Sequence, residues 1–389
     1  MKSKWLLLIL FISSIIVLIL CPDAVEKTPA DGHLSSDEEN KAPDLETLTP
    51  SPSPDIQEPL YKYYTVVKNE PGFDLSMHVL EIDPANPRVE VRPVSSHATL
   101  FGYAFLSEIS EKWEARVAVN GGFSHSNGLL GGMYYIDDEL FVPGTGQYPV
   151  LFKRGEEFFF EDAETRIWID GSVKLDSFYF NQYPKIEGLY VFTPSYGSQN
   201  RIRQPHLNAV VSSGEVRGLT MSSDSFDIPK DGFLISGIGE YAQKRLEAVE
   251  PEMNLEIFYE IIAGHEVIEG IDWAYECGSW ILRNGEIVVP DADGWVGTLK
   301  IRTPRTAVGI KDDGKLIFVV ADGRQKGLSD GLTGKELANE LLALNVRDAA
   351  FLDGGASSEM IIEGEIVNSP SAGRERMLAA AFIIREKSR

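Results

Sequence analysis

Apolar residues in this chain come in short blocks broken by glycine and polar turns, the pattern of strands rather than of long helices. Extended segments are predicted at Met77 to Ile82, Arg88 to Pro93, Arg116 to Val119, Leu189 to Phe192, Ala209 to Val211, Leu255 to Ile262 and Lys315 to Val320. Asn284-Gly285, Asp293-Gly294 and Asp313-Gly314 supply turns. Helical spacing is confined to three places. Ala104 to Trp113 brings Phe105, Leu106, Ile109 and Trp113 together. Lys335 to Asn345 does so for Leu337, Ala338, Leu341, Leu342 and Leu344, with Thr333 as N-cap, and Glu240 to Leu246 is a third candidate. Many strands and few helices predict an α+β fold of mixed sheets, with no internal repeat of fixed period.

Several apolar segments end on polar residues beside glycine. The run at Ala350, Phe351 and Leu352 reads as a buried strand that delivers Asp353 into Gly354, Gly355, Ala356, Ser357 and Ser358. Glycines there allow a tight turn and close approach of a ligand, although a plain turn with Asp353 satisfying its own backbone fits the same residues. The strand ending at Val119 delivers Asn120, Gly121 and Gly122, and the one ending at Ala321 delivers Asp322, Gly323 and Arg324. The segment from Arg302 to Ile310 adds the cation Arg305. The helix at 335–345 lies between the Asp322 and Asp353 strands. Such a crossover predicts that these strands run parallel, with both carboxylates at one edge of the sheet.

Five of these features, in this order, resemble the phosphodiester glycosidases: Asn120-Gly121-Gly122-Phe123, Arg305-Thr306-Ala307-Val308-Gly309, Asp322-Gly323-Arg324-Gln325, Leu352-Asp353-Gly354-Gly355 with Ser357-Ser358, and Val367-Asn368-Ser369-Pro370-Ser371. The resemblance covers roughly residues 61 to 389. Ala356 stands where a third glycine is expected, Glu359 where threonine is frequent, and Cys277-Gly278-Ser279-Trp280 replaces a more glycine-rich turn. The resemblance implies hydrolysis of a bond between a sugar C1 and a phosphate, without cofactor or metal. Such a site needs donors for the phosphate charge and a carboxylate to activate water or attack C1. Arg305 is the candidate for the phosphate, with its fixed fork of donors. Asp353 is the candidate base or nucleophile and Asp322 the second carboxylate, with their roles interchangeable at this point. Asn120, Gly121, Gly122, Gly354, Gly355, Ser357, Ser358 and Arg324 are the candidate substrate-binding residues. Several have plainer readings: Arg324 as the ion-pair partner of Asp322, Ser357 and Ser358 as turn caps, Glu359 as a solvent-facing strand residue, Arg374 and Arg376 as surface charges, and Cys277 as a small buried residue. A carbohydrate-phosphate binding module without turnover and a phosphodiesterase that cuts P–O remain alternatives.

The first residues carry Lys2 and Lys4, then an apolar run from Trp5 to Cys21. At about 17 residues it reaches the lower limit for spanning a bilayer, and the flanking lysines predict that the chain beyond the run faces outward. Residues 1–21 therefore read as an N-terminal membrane anchor or uncleaved signal, and 22–60, rich in proline and acid, as a disordered tether. Residues 61–389 read as one extracytoplasmic catalytic domain acting on cell-envelope or exopolysaccharide material. The net charge of −23 excludes a basic nucleic-acid surface. Two cysteines, Cys21 and Cys277, give neither a disulfide framework nor a zinc cluster.

Overall fold

The computed structural model describes residues 59–97 and 99–387. The anchor expected at 1–21 and the tether at 22–60 lie outside the described residues, apart from the tether's last two positions. Among the described residues no helix is long and apolar enough to cross a membrane.

Two sheets build the half that carries the candidate site. The first has seven strands in the order Lys62–Glu70, Phe73–Ile82, Leu316–Ala321, Arg305–Lys311, Val346–Phe351, Trp280–Arg283 and Glu286–Ile287. The second has five, in the order Glu365–Ile366, Met360–Ile362, Val117–Asn120, Ala380–Glu386 and Val89–Ser95. Alternation along each strand sends one set of side chains into the layer between the sheets. Leu80, Val308, Val320 and Ala350 meet Val117, Val119, Met360 and Phe382 there. The other face of the first sheet, with Val79, Ala307, Val319 and Phe351, is covered by the helix Gly334–Ala343 through Leu337, Ala338 and Leu341. The other face of the second sheet is covered by the helix Leu106–Lys112. A further seven-stranded sheet and a five-stranded sheet pack on one another through a separate core that includes Phe152, Ile169, Val191 and Ile235.

The predicted strands and three helices are all present, with ends moved by a few residues. The described chain is mostly β-sheet. One sheet is mixed, because Tyr179–Phe180 pairs in parallel with Gly188–Phe192; the other named pairings are antiparallel. The strands before Asp322 and Asp353 do run parallel and end at one edge of the first sheet, but they are not neighbours. Arg305–Lys311 lies between them, antiparallel to both. The connecting helix starts as its sequence dictates. Thr333 Oγ1 accepts from the Glu336 N–H at 3.2 Å, and Glu336 Oε2 accepts from the Thr333 N–H at 2.9 Å. Full burial of Leu337 and of Leu341 contributes about 1.5–3 kcal/mol each.

Candidate active site

Asn120, the last residue of its strand, joins the two sheets. Its Nδ2 donates to the Asp353 carbonyl at 2.7 Å and to the Gly121 carbonyl at 3.2 Å. Its Oδ1 accepts from Thr306 Oγ1 at 2.8 Å and from the Glu359 N–H at 3.1 Å. The amide is fully buried and every polar atom is engaged, so the expected contact of Asn120 with substrate is corrected to a clamp that fixes the Asp353 turn. Gly121 completes the junction. A Cβ there would lie 2.9 Å from the Ala380 carbonyl and 3.0 Å from Tyr275 Oη. The Gly121, Gly122 and Gly355 N–H groups are given to Ala380 O, Tyr275 Oη and Pro304 O. The Gly354 N–H faces the Asp353 carboxylate.

The two candidate carboxylates differ sharply. Asp322 is buried and saturated: Oδ1 accepts from Asn368 Nδ2 at 3.1 Å and the Ser369 N–H at 2.8 Å, while Oδ2 accepts from Ser76 Oγ at 3.1 Å and lies 3.3 Å from His78 Nε2. Asn368 in turn donates to the Ser358 carbonyl and accepts from the Met360 N–H. Asp322 thus reaches the glycine turn through Asn368. Asp353 is half-buried. Burial pushes its carboxyl above the usual aspartate range, against the opposing pull of Ser357, Arg376 and the Gly354 amide.

Arg305 does not extend into this region. It is 1% exposed, donates from Nε to Leu332 O at 3.0 Å and from Nη2 to Ile301 O at 3.1 Å, and lies 5.8 Å from the Phe351 ring. Burial and the neighbouring Arg324 lower its pKa to about 10, which leaves it charged at neutral pH. Alternation along its strand puts Arg305 on the Phe351 face and Thr306 on the Asn120 side. The expected phosphate contact is therefore corrected to a buried structural cation. Arg324 is exposed and forms no salt bridge with Asp322; its guanidinium lies 3.4 Å from where a Cβ on Gly355 would stand. Gly355 has φ +64, so a side chain there would be strained as well as crowded.

Glu359, read as solvent-facing, is fully buried because its strand is covered on both faces. Neither carboxylate oxygen has a well-formed hydrogen bond, and the Ser357 and Ser358 hydroxyls are also buried without one, Ser357 lying against Asp353. Burial and the adjacent Glu375 carboxyl raise Glu359 to about 8. Glu375 accepts from the Ser107 N–H and hydroxyl at 2.9 and 2.8 Å, which ties the loop bearing Arg374 and Arg376 to a helix end. Among the described residues, Arg324, Arg374 and Arg376 are exposed cations outside any salt bridge. No group of three or more His, Cys, Asp or Glu suited to hold a metal ion occurs among the described residues.

This saturated frame around a half-buried carboxylate coincides with a family match. Residues 206–385 match the phosphodiester glycosidase family model. The resemblance carried by the motifs from Arg305 to Ser371 therefore holds; the Asn120 motif lies before the matched region. The SPbeta prophage-derived uncharacterized protein YomE of Bacillus subtilis (strain 168) is 28% identical over 177 residues, covering 44% of this chain and 26% of that protein. N-acetylglucosamine-1-phosphodiester alpha-N-acetylglucosaminidase of Mus musculus is 27% identical over 172 residues, covering 42% of this chain and 30% of that protein. The aligned part is thus under a third of either relative's length. The crystal structure of a hypothetical protein from Synechocystis superposes with a TM-score of 0.73 over 84% of this chain and 62% of that chain. At 19% identity it establishes a shared fold.

Proposed function

We propose that this chain hydrolyses a glycosyl phosphodiester, breaking the bond between the sugar C1 and the phosphate oxygen. The observation that carries the reading is Asp353, half-buried at the glycine turn, with the exposed cation Arg376 near its carboxylate and the exposed Arg324 beside Gly355. A carboxylate set beside exposed guanidinium groups suits a ligand that brings a phosphate next to a carbon open to attack. The family match and the mouse glycosidase point to the same bond class, and cell-envelope or exopolysaccharide material is the proposed source of substrate.

Asp353 is the proposed base or nucleophile. Acting as base, it takes a proton from water as the water oxygen bonds to C1; the C1–O bond breaks and the phosphate leaves with the electron pair. The leaving group is a phosphate monoester, a stable anion, so little protonation is needed. Arg376, close enough to Asp353 to lower its pKa, and Arg324 beside Gly355 are the proposed phosphate ligands. Asp322 positions the turn through Asn368.

Hydrolysis of N-acetylglucosamine-1-phosphate methyl diester in ¹⁸O-labelled water tests the reading. Label in the sugar supports it. Label in the phosphate means P–O cleavage, and binding without turnover means a binding module; either result overturns it.

A further inference from the structure

The loop 99–104 ties the Asp353 region to a second patch of rings and cations, in which Tyr183 is exposed, Trp295 and His125 are half-buried and Phe101 is buried beneath Arg201. At one end Ala104 pairs with Leu378, two residues from Arg376. Next, Tyr103 donates its hydroxyl to the His125 carbonyl at 2.7 Å. The His125 ring meets the edge of Trp295 at 5.4 Å, and Trp295 stacks on Phe123, directly after Gly121 and Gly122, at 5.7 Å. At the far end Phe101 touches Tyr183 edge-on at 6.5 Å and carries the Arg201 guanidinium over its ring at 4.1 Å. Lys185 lies close enough to His125 to help lower its pKa. Tyr183, Lys185 and Arg201 are exposed, and neither cation forms a salt bridge among the described residues.

Two facts make this patch selective. In a chain with 59 acidic and 36 basic residues, exposed cations without acidic partners are set against the overall field. They also alternate with aromatic rings: Trp295 and His125, then Lys185, then Tyr183 and Phe101, then Arg201. Aromatic faces take the apolar faces of sugar rings, and guanidinium or ammonium groups take phosphates. One sugar with one phosphate would occupy the Asp353 turn alone. A row that repeats ring and cation beyond the turn matches a ligand that repeats sugar and phosphate.

We propose that the surface from Trp295 to Arg201 is a row of subsites for an oligomeric glycosyl phosphate, with sugars on Trp295 and Tyr183 and phosphates on Lys185 and Arg201. The inference rests on the hydrolase reading for its orientation, and it gives that reading a substrate class: an anionic chain rather than a single diester.

The test compares N-acetylglucosamine-1-phosphate methyl diester with a longer oligomer of N-acetylglucosamine-1-phosphate units, using the full chain. The expected result is a kcat/KM about tenfold higher on the oligomer, lost in Tyr183→Ala and Lys185→Gln, while both variants keep wild-type rates on the diester. The Lys185 effect should shrink in high salt. Arg201→Gln is a third variant, with thermal unfolding measured because it also removes the contact with Phe101. Equal kcat/KM on the two substrates, or an oligomer preference unchanged in the variants, overturns the inference. If neither substrate turns over, calorimetric binding separates the two readings. Tighter binding of the oligomer than of a neutral glycan of equal length, weakened by Tyr183→Ala, retains the subsite row and removes the hydrolase. Equal binding of the neutral glycan removes the phosphate assignment.

Discussion

Glu359→Gln should stabilise this protein at alkaline pH and leave it nearly unchanged in acid. Glu359 is fully buried, its two oxygens lack well-formed hydrogen bonds, and Glu375 lies beside it. In the unfolded chain its carboxyl titrates near 4.5; in the folded chain burial and Glu375 hold the proton up to about 8. The folded state binds the extra proton between these values, so this contribution to stability is complete below 4.5. It declines as pH rises and is gone above about 8. At about 1.4 kcal/mol per unit the shift sets a ceiling near 5 kcal/mol. Relaxation and sharing of the proton with Glu375 reduce this to about 2–3 kcal/mol, still a large part of the 5–15 kcal/mol typical of a folded domain. Glutamine has the shape of the protonated acid and does not ionise. Urea unfolding at intervals from pH 5 to pH 9 should show the wild type losing this increment and Glu359→Gln keeping it. Equal pH slopes for the two proteins, or a wild type that gains stability across this range relative to the variant, would refute the account of Glu359 as a buried neutral acid.

Asp353→Asn should lower kcat by about 10²–10⁴ while substrate affinity stays within a few-fold, measured by steady-state rates and calorimetry. Because burial raises the Asp353 pKa, the acid limb of kcat/KM should lie above the ordinary aspartate value, activity falling as pH drops and the base is protonated. Arg376→Gln should weaken binding and rate together without loss of stability, whereas Arg305→Ala should cost about 2–5 kcal/mol in urea unfolding, since it empties a buried volume, removes the guanidinium donor to Ile301 O and leaves Leu332 O with only the Thr303 N–H. Asn120→Ala should cost about 2–4 kcal/mol by the same measurement, because it strips hydrogen-bond partners from Asp353 O, Thr306 Oγ1 and the Glu359 N–H.

The strands and helices were legible because their signals are local. Alternation, glycine turns and the Thr333–Glu336 box act within a few residues. The shared edge for Asp322 and Asp353 was legible from the crossover helix, since chain connectivity limits how two such strands can lie. The strand between them was not, because sheet order depends on pairings far apart in sequence. Side-chain direction at strand ends was the main gap. Arg305 and Thr306 are adjacent, yet one passes under the sheet to Leu332 and the other reaches Asn120. The period of two predicts that they separate but does not tell which face holds the site. Glu359 was misplaced for a related reason. A polar residue beside Met360 looks like the wet side of a half-buried strand, but the helix Leu106–Lys112 and the loop bearing Glu375 cover that side.

The division of labour between the two carboxylates follows from how completely each is satisfied. Asp322 makes four polar contacts in a buried setting, which hold its carboxylate still and leave it little free hydrogen-bonding capacity for a substrate. Asp353 sits half-buried, its carboxyl raised by desolvation against the pull of a hydroxyl, a guanidinium and an amide, and it is not saturated by the protein. Cations divide in the same way. Arg305 has its Nε and one Nη bound to backbone carbonyls near the Phe351 ring, while Arg324 beside Gly355 and Arg376 near Asp353 are exposed. A saturated pair, Asp322 and Arg305, therefore frames the turn, and an unsaturated set, Asp353, Arg324 and Arg376, makes up the proposed working groups. Family resemblance alone ranks Asp322, Arg305, Asp353 and Arg324 together and passes over Arg376; hydrogen-bond saturation is the property on which the proposed frame and working groups are divided.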